Sequence, residues 1–344
     1  MIINEFDFGP YLAEAETSVQ NLVTDAIRYT PSEQAIVVFD SNSQLSKVLA
    51  HVYKSVLPNA VFMDFDEYSQ EEILEAFEPL KEKDFAVLIQ STNFRLNAFR
   101  IRVELFAQSI KVVEHVHLGR MDDDDAVKYL GALAYDKEYF HGMGHGLKKL
   151  IDVAQSAKIV SGDHTLNFPT PLEKAKINIG DYTEMKNVGG QFPIGEVFTE
   201  SVALEDVNGI APIFAFGGRD FAVVRPETPI LLNIQGGKIV EVINSTDTFD
   251  DIMEMIKAHE TEVWVRELGF GLNRGFTQEC VVNDVGTYER MVGIHLSLGK
   301  KHTSYNKTKY FRRKETRYHI DVFIKTDQVF LDDKCVFDDQ KWKL

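Results

Sequence analysis

The stretch "QAIVVFDSNSQLSKVLAHVYKSVL" (Gln34–Leu57) holds the first strand and helix of a repeating pattern. Gln34–Asp40 is a short apolar run, rich in β-branched residues, that ends on an acid and reads as a buried strand. Leu45–Leu57 then spaces its apolar residues as a helix does. The alternation continues along the chain. Ala60–Phe65 is strand-like and Glu71–Lys81 helical. Asp84–Ser91 is a strand and Asn97–Ser109 an amphipathic helix. Lys111–Gly119 is the next strand, and Asp123–Ala134 opens a helix with acids where its dipole favours them. Strands interleaved with helices predict an α/β N-terminal domain on a parallel sheet.

After about residue 157 the texture changes. "KIVSGDHTLNFPTP" (Lys158–Pro171), "ILLNIQGGKIVEVI" (Ile230–Ile243) and "VWVRELGFGLN" (Val263–Asn273) read as strands with turn residues between them. Gly236-Gly237 predicts a tight hairpin turn. The clearest helix is Thr248–His259, capped by Asp247 or Thr248. The expected division is therefore residues 1–157, an α/β domain, and residues 158–344, a β-rich α+β domain.

Composition narrows the function. At 44% hydrophobic and 26% charged residues, the chain is of the soluble globular class. A net charge of -16 argues against a nucleic-acid partner, which needs cations for phosphate. The single basic run, Lys300–Arg317, reads either as a solvated loop or as cations that hold an anion such as a peptide carboxylate. Cys280 and Cys335 show no CxxC spacing, which excludes a disulfide framework or a zinc knuckle. The N-terminus lacks the cationic start of a secretory signal, and no apolar run reaches about 18 residues. A cytoplasmic protein without a membrane partner is expected. No phosphate-cradling glycine motif is present. "HGMGH" (His141–His145) is a weak metal pair, because its glycines disfavour the helix that would align it. His115 and His117 share a strand face and read as buried beside the sheet.

Four segments of the second half carry metal-type ligands beside glycines: "GGQFPIGEVFTE" with Glu196, "RELGFGLN" with Glu267, "GIHLSLGKKH" with His295 and His302, and "YHIDVF" with His319 and Asp321. His319 and Asp321, two apart on a strand, point to one face. Glutamate, histidine and aspartate without thiolate suit Zn, Mn, Co or Fe(II). Acids within apolar strands need a cation or a donor to be buried.

In order, Pro193-x-Gly-Glu-Val-Phe-Thr199, Glu267-Leu-Gly with Asn273, His295-x-x-x-Gly299 and His319-x-Asp321 resemble the M29 family of metallo-aminopeptidases, the aminopeptidase T and S type. Gly162–Phe168 is similar to a further strand of that family. The resemblance implies a cytoplasmic homodimer whose β-rich domain holds two divalent ions (Zn, Co or Mn) on Glu196, Glu267, His295, His319 and Asp321. One glutamate, Glu196 or Glu267, would bridge the ions. The implied activity is removal of N-terminal residues from short peptides by a metal-activated water. Where the family has a Tyr seven residues after the first His, this chain has His302, a candidate ligand or catalytic donor, with Tyr305 displaced nearby. A runner-up on the same fold is a mononuclear Fe(II) ring-cleaving dioxygenase of the 2,5-dihydroxypyridine type. Its two-His, one-carboxylate set would come from His295 or His302 with His319 and Asp321.

Overall fold

A computed structural model describes residues 7–92, 95–96 and 99–344. The expected helix at Asn97–Ser109 begins at residues outside this set, and its described part is Ile101–Ala107. The chain forms two compact units. One comprises residues 1–140 and 180–194, the other residues 141–179 and 195–344. This differs from a single cut at 157/158, and the returning segment has a clear cause. Gly189–Gln191 pairs in parallel with Lys111–His115 and adds a strand to the first unit.

The first unit carries a five-stranded parallel sheet. From one edge to the other its strands are Gly189–Gln191, Lys111–His115, Phe85–Ile89, Ala35–Phe39 and Val61–Asp64. Phe85–Ile89 is buried along its whole length, as a sheet covered by helices on both faces requires. The helix Gln44–Val56 starts on Ser43, whose hydroxyl accepts the Ser46 N–H. Ser69 caps Gln70–Phe77 in the same way, and Pro79 follows where that helix stops.

The second unit is a large, mainly antiparallel assembly of 14 strands. The Gly236-Gly237 turn, with φ of 59° and 73°, joins Ile230–Gln235 to Lys238–Ile243 as expected. Asp247–Glu260 is the long helix, and its cap is Thr246 rather than Asp247 or Thr248. The helix Lys137–Ile151 runs on through the "HGMGH" glycines. A Cβ at Gly144 would lie 2.6 Å from Ile179, and one at Gly146 2.4 Å from Leu344. Close packing outweighs the low helix propensity of glycine there. Among the described residues no helix is long and apolar enough to cross a membrane.

His115 locks the first unit. Tyr129 Oη donates to Phe192 O at 2.8 Å, so its oxygen is left to accept from His115 Nδ1 at 2.8 Å. His115 Nε2 then accepts from Tyr53 Oη, also at 2.8 Å. Burial holds this imidazole neutral and pushes its pKa down to about 3. A group whose folded pKa lies below its unfolded value contributes stability in full above the unfolded value, about 6.5. That stability is lost as pH falls towards the folded value, because the unfolded chain binds a proton that the native state refuses. Urea unfolding should therefore weaken below about pH 6.5 with a slope of up to about 1.4 kcal/mol per pH unit from this group. His115→Phe should lower stability at pH 7 by about 2 kcal/mol and flatten the acid slope. An unchanged slope in the variant would assign the acid sensitivity to other groups.

Candidate metal centre

Four neighbouring antiparallel strands build the site: Glu196–Glu200, Val265–Gly271, Gly293–Leu298 and Ile320–Ile324. Their register decides which side chains meet. Glu200 stands opposite Glu267, and Phe198 opposite Gly269. Gly269 stands opposite His295, and Ser297 opposite Asp321. Directly opposed residues share a face, as do residues two apart. Glu196, Glu267, His295 and Asp321 therefore all project from one face of the sheet.

Gly269 makes the central contact available. A Cβ on it would lie 2.0 Å from Cε1 of His295, so the imidazole occupies the space where a side chain would be. Lying there, His295 Nε2 comes 3.2 Å from Glu267 Oε1 and 3.3 Å from Glu196 Oε1. The ladder is irregular between Val265 and Leu268, where Arg266 and Glu267 are set against Ser297. Such bulges re-aim side chains. Here the Glu267 N–H is satisfied by Ser297 Oγ at 3.1 Å, and the Glu267 carboxylate turns to the histidines.

His319 and Asp321 complete the face. His319 Nδ1 donates to the Lys301 carbonyl at 3.1 Å, which turns Nε2 towards Asp321 Oδ1 at 3.2 Å. That oxygen is buried and has no hydrogen-bond partner among the described residues, since the close approach to Nε2 lacks hydrogen-bonding geometry. A ring nitrogen and a carboxylate oxygen facing each other invite a shared cation, either a proton or a metal ion. His302 is held the other way round. Its Nδ1 accepts the Ser304 N–H at 3.2 Å, so Nε2 carries the proton and donates to Glu267 Oε2 at 2.5 Å.

Two groups of potential ligand atoms result, each within 4.8 Å: Glu196, Glu267 and His295, then Glu267, His319 and Asp321. Glu267 belongs to both, and His302 to neither. The three acids are 5%, 6% and 6% exposed, in the order Glu196, Glu267, Asp321. Their only ion-pair partners among the described residues are the histidines; no Lys or Arg reaches them. Burial opposes charge on His295, yet Glu196 and Glu267 override it and raise its pKa. Burial likewise opposes charge on His319, and Asp321 raises its pKa. For Glu267 burial is also outweighed, by the hydrogen bonds of His295 and His302, and its pKa falls. The acids thus draw protons onto the buried His295 and the half-buried His319 for want of a stronger cation. This donor set fits divalent ions, and the Lys301 carbonyl behind His319 is the orienting contact that metal-ligating histidines normally have. His295 lacks that support, because its Nδ1 is buried without a partner among the described residues.

Sequence reasoning missed two acids that hold this arrangement. Glu200, 0% exposed, would oppose Glu267 charge to charge, but Arg266 takes it in a two-pronged pair at 2.5 and 3.1 Å. Glu260, 1% exposed, accepts the backbone N–H groups of Lys300, Arg317 and Tyr318 at 2.7, 2.7 and 2.9 Å. It thereby fastens both ends of the basic stretch. Tyr305 donates to the Lys174 carbonyl at 2.8 Å and lies against His302 with ring centroids 5.4 Å apart. Its hydroxyl is committed to the backbone. The available signal was an acid and a base closing two apolar strands, "EVFTE" and "VWVR".

No protein-family model and no curated protein sequence matches the chain. Its structure is similar to that of wild-type AmpT from Thermus thermophilus, with a TM-score of 0.55 at 12% sequence identity, over 98% of this chain and 100% of that one. At that identity the likeness establishes the fold, an α/β unit followed by a β-rich one.

Proposed function

We propose that the chain is a metal-dependent aminopeptidase that removes N-terminal residues from short peptides at a site for two divalent ions. The observation that carries this reading is the pair of ligand groups sharing Glu267, buried without Lys or Arg. The fold of AmpT supports it, because that name is the aminopeptidase T type whose four motifs this chain resembles. Glu196 and His295 would hold one ion, His319 and Asp321 the other, and Glu267 would bridge them. Such ions supply Lewis acidity to a water and to the scissile carbonyl.

The chain's own groups then have distinct tasks. Glu267 is held by the Nε2–H of His302, which fixes its second oxygen. His302 therefore acts as a positioned proton donor beside the ions rather than as a ligand, in the place where the family has a tyrosine. Tyr305 supports the His302 ring from one side. Glu200 is neutralised by Arg266 and takes no part. A mononuclear iron site would need only two histidines and one carboxylate, and the convergence of Glu196 with Glu267 on His295 leaves that reading without a favouring contact.

Elemental analysis of the purified chain should give two divalent ions per chain. The chain loaded with Zn, Co or Mn should cleave aminoacyl amides or dipeptides. Glu267→Gln should lower metal affinity by more than about a hundredfold, above the usual loss for an orienting contact, and abolish turnover. A single iron per chain, or no turnover with any metal, would sink the proposal.

Gly269→Ala is a sharper test of the geometry. It leaves every ligand in the sequence but puts a methyl group in the place of the His295 ring. Metal content should fall by at least one ion per chain while far-ultraviolet circular dichroism stays native-like. A fully loaded alanine variant would show that His295 binds from elsewhere.

A further inference from the structure

The basic stretch builds a cleft of about 700 Å³ within the second unit. Arg266, residues 301–308, Phe311, Arg313 and Thr316 line it, including the cations Lys301 and Lys307, and no Asp or Glu is among these lining residues. In a chain of net charge -16, a hollow walled by cations and free of acids is a marked local reversal. His302, which holds Glu267, also lines it, so the cleft adjoins the metal centre.

Two of its cations are spent on structure. Arg266 is paired with Glu200, and Lys307 with Glu173 at 2.6 Å. Lys301 and Arg313 have no acidic partner among the described residues. Their neighbours Thr303, Ser304 and Asn306 are exposed neutral hydrogen-bonding groups. The wall is also pre-formed. Glu260 fastens its two ends, Lys307 Nζ reaches Ser201 O at 2.8 Å, and Phe311 packs on Trp264 with ring centroids 5.2 Å apart. A loop fixed at so many points loses little freedom when a ligand binds.

We propose that this cleft receives a carboxylate on the leaving-group side of the substrate, and that its source is the free C-terminal carboxylate of a di- or tripeptide. The inference rests on the peptidase reading and names the substrate class for that site. Two solvent-accessible cations give modest selectivity, about tenfold for a pair of such contacts. They act at short range and are weakened by salt.

The test compares dipeptides with the same dipeptides amidated at the C-terminus, and with amides bearing an aspartate side chain in the second position. Free dipeptides should show kcat/KM about tenfold above their amides, mainly through KM, with the ratio shrinking at high salt. In Lys301→Gln/Arg313→Gln the ratio should approach one. Equal rates for acid and amide in the native chain would overturn the inference while leaving the peptidase reading intact. Preference for the aspartyl amide over the free dipeptide would move the source to an acidic side chain and overturn the C-terminal assignment. An arm without turnover uses acetylglycine and acetylglycinamide, titrated into the metal-free chain and followed by NMR. Shifts confined to residues 301–316 with acetylglycine alone support the carboxylate site even if no peptide is cleaved, in which case the peptidase reading fails by itself. Identical responses to both probes overturn it.

Discussion

The register between Glu196–Glu200 and Val265–Gly271 is the constraint on which the site depends. A strand has a side-chain period of two, so a slip of one residue would carry Glu267 to the opposite face and leave Gly269 no longer opposite His295. The register cannot be set by the acids themselves, because it puts Glu200 against Glu267 and buries both. It is set by the apolar residues between them. Val197, Leu268, Phe270, Ile294 and Leu296 are all buried on the other side of these strands. The hydrophobic side of the sheet thus fixes where the charged side must stand, and Arg266 relieves the repulsion between Glu200 and Glu267.

Within that frame, proton placement divides two similar side chains into different roles. His319 and His302 both sit beside acids, yet a carbonyl behind one fixes a proton on Nδ1 and an N–H behind the other fixes a lone pair there. Lys301 O takes the His319 Nδ1 proton, so Nε2 faces Asp321 and is available to a proton or a metal ion. Ser304 N–H makes His302 Nε2 a donor, available to Glu267 or to a developing negative charge. A histidine at position 302 can thus donate to Glu267, because the backbone fixes its imidazole with the proton on Nε2.

Much of the fold was legible because it rests on local patterns. The apolar runs at Gln34–Asp40 and Asp84–Ser91 are strands buried on both faces, and the helices between them carry their caps in the sequence. Gly189–Gln191 was not legible. It has no apolar side chain to bury, and its place in the sheet comes from backbone pairing with a strand far earlier in the chain. Within the site, the shared face of His319 and Asp321 follows from period two alone. The meeting of four strands follows from long-range register, which spacing does not encode. Glu260 shows the same limit, because nothing in its helical surroundings marks a side chain that turns to collect three distant N–H groups.

Glu260 also links the candidate metal ligands to the cleft. It holds Lys300 and Tyr318, and between them the chain must leave the sheet, deliver His302 to Glu267, form the cationic wall and return at His319. His302, His319 and the cationic wall therefore sit on one loop that Glu260 fastens at both ends, which constrains their separation. This matters for an acidic protein. At physiological ionic strength charges are screened over about 8 Å, so a negative chain offers an approaching anion little attraction from afar. The charge discrimination proposed for the cleft would have to be made at contact, by cations held in place close to the candidate metal ligands. A free lysine-rich loop would meet the first of those conditions poorly, because ordering its side chains and backbone at each binding event would consume much of the interaction. The buried carboxylate at the loop's base removes that cost in advance.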